Sequence, residues 1–261
     1  MKLYKYHGAG NDFLIKDNRS DCIDLSIEEI YHLCHRHFGI GADGLMLLNK
    51  GDEECAFTME FFNPDGSGGM MCGNGGRCIV AFAHDMGIRN YIFRAADGLH
   101  EAIIHGDGLE KTVELKMCDV TEILKLEAND YFLDTGTRHF VRFVDDPNKI
   151  VIDETAKLIR NNEKFAPVGT NVNIAMLCED GVVRMCTFEK GVEGETLACG
   201  TGIVATALAA KVHYGIKDDE IQVNTKGGEF NVRFQANGEG FSDIWIVGPT
   251  KYVAEINVPY E

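Results

Sequence analysis

Two stretches decide how this chain is read: "MMCGNGGRC", residues 70–78, and "LACGTGIVA", residues 197–205. Each places a cysteine before a Gly-polar-Gly triplet, and each then runs into an apolar segment. The lead cysteines, Cys72 and Cys199, lie 127 residues apart, close to half of the 261-residue chain. Three other landmarks recur in the same order. "HGAGNDFLI" (7–15) pairs with "TGTRHFVRF" (135–143), with Gly8 and Gly136 separated by 128. A helix opening at Ser26 recurs at Asp153, an offset of 127, and "GADGLMLL" (41–48) returns as "GTNVNIAM" (169–176), an offset of 128. Four matches in order, at offsets of 127 or 128, read as an internal duplication.

Each half then reads as strands, a first helix, more strands and the Cys-Gly helix. Ser26 and Glu29 have capping-box spacing, Ile27, Ile30, Tyr31, Leu33 and Cys34 form an apolar stripe, and Gly39 is placed as the stop. "YIFRA", "TVELKM", "HFVRFV", "VVRMCTF", "EFNVRF" and "FSDIWIV" alternate as strands do. The expectation is an α+β fold of two pseudo-symmetric domains, 1–116 and 117–261. The last strand-like piece, "YVAEINV", within about residues 250–261, is left open to return to the first domain.

After each cysteine the pattern takes helical period, over "RCIVAFAHDMG" (77–87) and "GIVATALAAKVHYG" (202–215). Cys72 and Cys199 then stand at helix N-termini, beside unpaired backbone N–H groups and the positive end of the dipole. Such a setting lowers a thiol pKa. Glycines at 73, 75, 200 and 202 let a ligand approach the backbone, and a carboxylate can rest on the N–H groups. A twofold relation between the halves would bring both thiols into one cleft. One thiolate could then remove a Cα proton of an amino acid while the opposite thiol delivers one, inverting the centre. Helix ends and desolvation would stabilise the developing charge.

Composition narrows the alternatives. With 25 Lys+Arg against 41 Asp+Glu, the net charge of −16 argues against nucleic acid or an anionic membrane as partner. The expected partner is a small molecule. Nine scattered cysteines and an opening segment without an apolar signal core point to thiols in a reducing cytoplasm. No CxxC pair occurs, and the close pair Cys72 and Cys78 is spaced CxxxxxC, so no metal site is expected. "GIGADG" (39–44) fits GxGxxG but follows a helix instead of a strand, which argues against a dinucleotide site. No P-loop and no lysine in a pyridoxal phosphate context is found, so no cofactor is expected.

"GNDF" (10–13), "GIGADG" (39–44), "FNPDGS" (62–67), "MCGNGGRC" (71–78), "GTNVNI" (169–174) and "ACGTG" (198–202) together resemble diaminopimelate epimerase over nearly the whole chain. The resemblance implies two domains, each a mostly antiparallel sheet wrapped around a central helix, with the active site in the cleft between them. It implies cofactor-independent inversion at one end of diaminopimelate, in lysine and cell-wall synthesis, often by a homodimer. By position it makes Cys72 and Cys199 the acid/base pair, and Gly73, Asn74, Gly200 and Thr201 the grip on the reacting carboxylate. Asn11, Asn63, Asn171, Glu189 and Lys190 fall on the remaining substrate-binding positions.

Two departures from the family pattern fall at the distal end of the substrate. Glu189-Lys190 stands where the family has Glu-Arg, and Thr137-Arg138-His139 where it often has Asn-Pro-His. Lysine keeps the charge but loses the bidentate fork. A racemase of another amino acid, such as histidine, therefore stays open as an alternative. So do a thiol redox module and an amino acid binding module.

Overall fold

The computed structural model describes residues 1–20, 23–69, 71–146, 149–152, 154–238 and 240–259. It comprises two units, Met1–Leu115 with Gly248–Glu261, and Lys116–Val247.

In the first unit, β1 (Lys2–Gly8) and β2 (Asn11–Asp17) form a hairpin, and α1 (Ile27–Cys34) leads to β3 (Gly44–Lys50). β4 (Phe57–Phe62) precedes α2 (Gly73–Asp85), which leads to β5 (Ile92–Ala95), β6 (Gly98–His105) and β7 (Glu110–Lys116). The pairs β2–β3 and β4–β5 are parallel, and each is joined through a helix, because a parallel pair needs a long crossover. All other neighbours here are antiparallel. A final 18-residue strand, Gly240–Asn257, pairs in its second half with both β7 and β1. The sheet of this unit therefore closes into a ring of eight strands, and α2 packs against β1, β2, β3, β4 and β6 of it. Residues Asn74–Ala83 of α2 are all buried, as a helix enclosed on every side must be. Leu14, Leu45 and Leu47 turn toward α1 in one apolar cluster. Strand alternation sends Met46 toward α2, where its sulfur would stand 3.1 Å from a Cβ at Gly75.

The second unit repeats the order. β8 (Leu124–Lys125), β9 (Asp130–Asp134) and β10 (Arg138–Phe143) precede α3 (Glu154–Arg160) and β11 (Asn171–Leu177). β12 (Val183–Glu189) and the short β13 (Gly194–Thr196) precede α4 (Gly200–Tyr214). Then come β14 (Glu220–Thr225), β15 (Gly228–Asn237) and the first half of the long strand, β16. Again the parallel pairs, β10–β11 and β12–β14, are the two that straddle helices. In α4, Gly200 and Gly202–Ala210 are buried, and the helix ends on Gly215 in the left-handed conformation (φ +65°). The α+β class with a central helix in a mostly antiparallel sheet is what the sequence led us to expect.

Three local readings change. The capping box at Ser26 and Glu29 forms, with both reciprocal bonds in place. The apolar stripe is narrower than the sequence suggests: Ile30, Leu33 and Cys34 are buried, but Ile27 and Tyr31 are 61% and 56% exposed. Helix α1 also stops at Cys34, short of Gly39. His35 turns extended and its Nδ1 accepts the N–H groups of His37 and Phe38, a local bond that competes with helix continuation. "FSDIWIV" and "YVAEINV" are one strand, β16, not two. Of the expected helix start at Asp153 and of Cys22, both lie outside the described residues. None of the described cysteines is in a disulfide, and no described helix is long and apolar enough to cross a membrane. Among the described residues no cluster of three or more His, Cys, Asp or Glu could hold a metal.

Candidate active site

Cys72 and Cys199 occupy the same local geometry in their respective units. Each is the N-cap residue of the central helix, with φ/ψ of −114°/117° at Cys72 and −110°/112° at Cys199. Their carbonyls accept the first intrahelical bonds, from Gly76 N–H (2.7 Å) and Ile203 N–H (2.9 Å). In neither does the cap side chain cap the helix, and neither first turn carries an acidic residue. The N–H groups of those turns and the helix dipole thus form two settings suited to a carboxylate. Cys199 is buried and Cys72 half-buried.

Around Cys72 the first unit assembles Asn11 and Asn74. Asn11, at the start of β2, presents Oδ1 3.9 Å from Cys72 Sγ and accepts Asn74 Nδ2 at 3.1 Å. Asn74 is held from behind by Arg77, whose guanidinium is fully buried and donates to Asn74 Oδ1 (2.8 Å) and to the Gly73 carbonyl (3.4 Å). On its other side Asn11 donates to Asp43 Oδ2 (2.8 Å). Asp43 and Asp12 are clamped together by Arg36, and Lys5 reaches Asp12 at 2.8 Å. Burial alone would raise the Asp12 carboxyl, but Arg36 and Lys5 outweigh it and hold it down to about 2.

Around Cys199 the second unit builds a different network. Thr201 Oγ1 stands 3.5 Å from Cys199 Sγ, 2.9 Å from His139 Nε2 and 3.1 Å from Thr137 Oγ1. His139, on β10, is completely buried, and that burial pushes its imidazole down to about 3, so it is neutral at working pH. Its tautomer follows from its neighbours. Thr187 Oγ1 donates to Asn173 Oδ1 (2.8 Å), so Asn173 turns its Nδ2 to the Phe140 carbonyl (3.0 Å) and to His139 Nδ1 (3.1 Å). With Nδ1 accepting, the ring proton sits on Nε2 and donates to the threonine hydroxyls. Thr201, receiving that bond, has its own proton to offer, and Cys199 Sγ is within reach.

The other sequence-derived residues divide. Asn171, the first residue of β11, donates to the Arg138 carbonyl (3.1 Å) and to Thr137 Oγ1 (3.4 Å), and its Oδ1 accepts Lys190 N–H (2.8 Å). It thereby fixes the segment 137–138 and the end of β12 to each other. Glu189 accepts from Thr196 Oγ1 (2.8 Å), and burial raises its carboxyl above the usual range. The Lys190 side chain is exposed. Asn63 holds a turn after β4: its Nδ2 donates to Ser67 Oγ (3.0 Å) and its N–H to the Ser67 carbonyl (2.7 Å). His139, Asn173 and Thr187 were missed as site residues, although "NVN" at 171–173 carries the signal, two asparagines on one face of an otherwise apolar strand. A buried polar pair of that kind needs partners.

Comparison with known proteins came to one answer. The sequence model of a family described as diaminopimelate epimerase matches residues 3–122 and 131–252. The chain is 39% identical to the diaminopimelate epimerase of Flavobacterium psychrophilum, over 99% of this chain and 100% of that protein. It is also 39% identical to that of Chlorobaculum tepidum, over 94% and 96%. Among solved structures, a PhzF-family phenazine biosynthesis protein from Bacillus anthracis superposes over 100% of this chain and 99% of its own, with TM-score 0.78 and 15% identity. That likeness speaks for the fold alone.

Proposed function

Because the chain belongs to the diaminopimelate epimerase family, we propose that it inverts one Cα centre of LL-diaminopimelate to give the meso form, without a cofactor, with Cys72 and Cys199 as its acid and base. The observation that carries this is the matched pair of cysteine N-caps, one per unit, with nearly the same backbone angles. Inversion requires a base on one face of the carbon and an acid on the other. A thiolate takes the Cα proton, the electron pair moves into the carboxylate as enolate-like charge, and the second thiol delivers its proton to the opposite face. Helix N–H groups after Gly73 and Gly200 are suited to that charge, which is greatest in the transition state.

The surroundings of the sulfurs support distinct tasks. Cys72 has a carbonyl oxygen near it, and Cys199 a hydroxyl with a proton to offer. Asn11, Asn74 and Thr201 complete our reading of the reacting end. We assign Asn63, Asn171, Glu189 and Lys190 to the distal amino acid end. For Asn171 this role is shared with holding the segment that carries Lys190. The finer expectation of a cytoplasmic homodimer rests on the family likeness and on the composition, and sedimentation of the purified chain tests its oligomeric part.

The test of function is exchange. Reduced protein in D₂O with LL-diaminopimelate should incorporate Cα deuterium and change optical rotation, and Cys72→Ala and Cys199→Ala should each abolish inversion. Full activity in either variant overturns the two-cysteine mechanism. Exchange with histidine, and none with diaminopimelate, overturns the substrate.

A further inference from the structure

Asp43 and Arg77 have no part in the chemistry above, yet they stand at the two ends of one hydrogen-bonded chain. Arg77 Nη2 donates to Asn74 Oδ1 (2.8 Å), Asn74 Nδ2 to Asn11 Oδ1 (3.1 Å), and Asn11 Nδ2 to Asp43 Oδ2 (2.8 Å). A guanidinium only donates and a carboxylate only accepts. An amide can do either, and which end faces which way is decided by its partners. The charged termini therefore allow one orientation of each amide: Asn74 turns its oxygen to Arg77, and Asn11 turns its nitrogen to Asp43. The middle bond agrees with both. Asp43 is itself fixed, by Arg36 on Oδ1 and through its N–H to the Asp12 carbonyl (2.8 Å). What this arrangement leaves toward Cys72 Sγ is the Asn11 oxygen, at 3.9 Å.

We propose that Asp43 and Arg77 are positioning residues for Cys72: by locking the Asn11 and Asn74 amides from opposite ends, they hold the Asn11 carbonyl oxygen toward the sulfur. The inference rests on the two-cysteine reading for its catalytic meaning. A carbonyl oxygen accepts from a thiol S–H and offers nothing to a thiolate, so the lock favours Cys72 with its proton on. Turned round, the same amide would present N–H and favour the thiolate. The ionisable groups that act on this cysteine directly are Arg77 and Cys78 on α2. Tyr6 on β1 and Asp12 on β2 lie beyond Cys78, and Asp43, with Arg36 and Lys5 behind the two carboxylates, beyond Asn11. Arg77 has a second influence: its charge favours the thiolate, in the direction opposite to that of the oxygen it helps to hold. Asp43 is for that reason the cleaner residue to change.

In Asp43→Asn the oxygen of the new amide is contested: Arg36 donates on the Oδ1 side, and the Asp12 N–H on the Oδ2 side at 3.3 Å. The charge-assisted bond to Arg36 is the stronger and takes the oxygen. The NH₂ of the new amide then faces Asn11, which must rotate and turn its own N–H groups toward Asn74 and Cys72. The measurement is the pH dependence of iodoacetamide alkylation at Cys72, resolved by peptide mass spectrometry on the full-length reduced protein. Asp43→Asn should lower the alkylation midpoint by about one pH unit, a roughly tenfold larger thiolate fraction below it. Asp43→Glu, which keeps an acceptor-only end, should retain the wild-type midpoint. A folded Asp43→Asn protein with the wild-type midpoint overturns the proposal, as does Asp43→Glu shifting as far as Asp43→Asn. If Asp43→Asn does not fold, Asn11→Ala decides: removing the oxygen should also lower the midpoint, and an unmoved midpoint overturns the lock. Alkylation needs no substrate, so this failure is distinct from failure of the wild-type protein to exchange diaminopimelate.

Discussion

His139 Nε2 stands 2.9 Å from Thr201 Oγ1, and the ring proton lies on that nitrogen because Asn173 donates to Nδ1. A neutral, buried imidazole thus sets the direction of a threonine hydroxyl that in turn reaches Cys199. The imidazole orients the hydroxyl that lies beside the sulfur.

Replacing that hydroxyl should therefore matter more than reshaping the side chain. Thr201→Val is expected to lower kcat/KM by about 10- to 100-fold, the value of one hydrogen bond to a charged group. Thr201→Ser should remain within about threefold of wild type. Steady-state epimerisation of the two variants checks this, and equal losses in both would contradict it.

His139 should remain neutral, with its proton on Nε2, from neutral pH down to well below 6, as read from its imidazole ¹⁵N shifts. The sign for stability follows. The folded pKa, about 3, lies below the ordinary value of 6.5, so the folded state binds fewer protons. Stability held above pH 6.5 is lost progressively as pH falls from 6.5 toward 3. Urea unfolding across that range should show the loss, and a His139→Asn variant should lack this part of it.

Asp12 works in a lower window. Its folded pKa of about 2 lies below the ordinary 3.8, so its contribution is complete above pH 3.8 and disappears as pH falls through 2. Asp12→Asn should cost about 2 kcal/mol at neutral pH and flatten the acid limb of the unfolding curve. An Arg36→Gln protein should show a smaller loss, since Lys5 still reaches the carboxylate.

Gly202 has no room for a methyl group. A Cβ there would stand 2.7 Å from Asn173 Oδ1 and 3.3 Å from both His139 Cε1 and Thr187 Oγ1. Gly202→Ala should cost about 1–3 kcal/mol and reduce epimerisation, because relief comes from displacing Asn173. Gly194→Ala, where no atom lies within 4 Å of the new Cβ, should change stability by less than about 0.5 kcal/mol.

What the sequence disclosed was chiefly what is local or repeated. The duplication, the two Cys-Gly helix starts and the Ser26–Glu29 cap all depend on residues within a turn of each other, or on one offset. What it hid depends on contacts across strands. The Thr187–Asn173–His139 chain joins β12, β11 and β10, and no local spacing brings those three together. Ile27 and Tyr31 fit a helical stripe, yet the helix buries a narrower face than that pattern implies. Gly248-Pro249 falls between "FSDIWIV" and "YVAEINV", two pieces the sequence presents separately. Pro249 is tolerated within β16 because β15 pairing ends at Val247 and β1 pairing begins at Lys251, so β7 alone is its neighbour.

The path of that last strand also sets an order of assembly. Its first half completes the sheet of the unit spanning Lys116–Val247, and only its second half fits between β7 and β1 of the other. On the ribosome, then, the unit whose strands emerge first cannot close first. It waits with β1 and β7 as open edges until the final stave leaves the exit tunnel, while the later-made unit already has all of its strands. Open edges recruit partners indiscriminately. Between the synthesis of β7 and that of β16, the β1 and β7 edges are without their final neighbour.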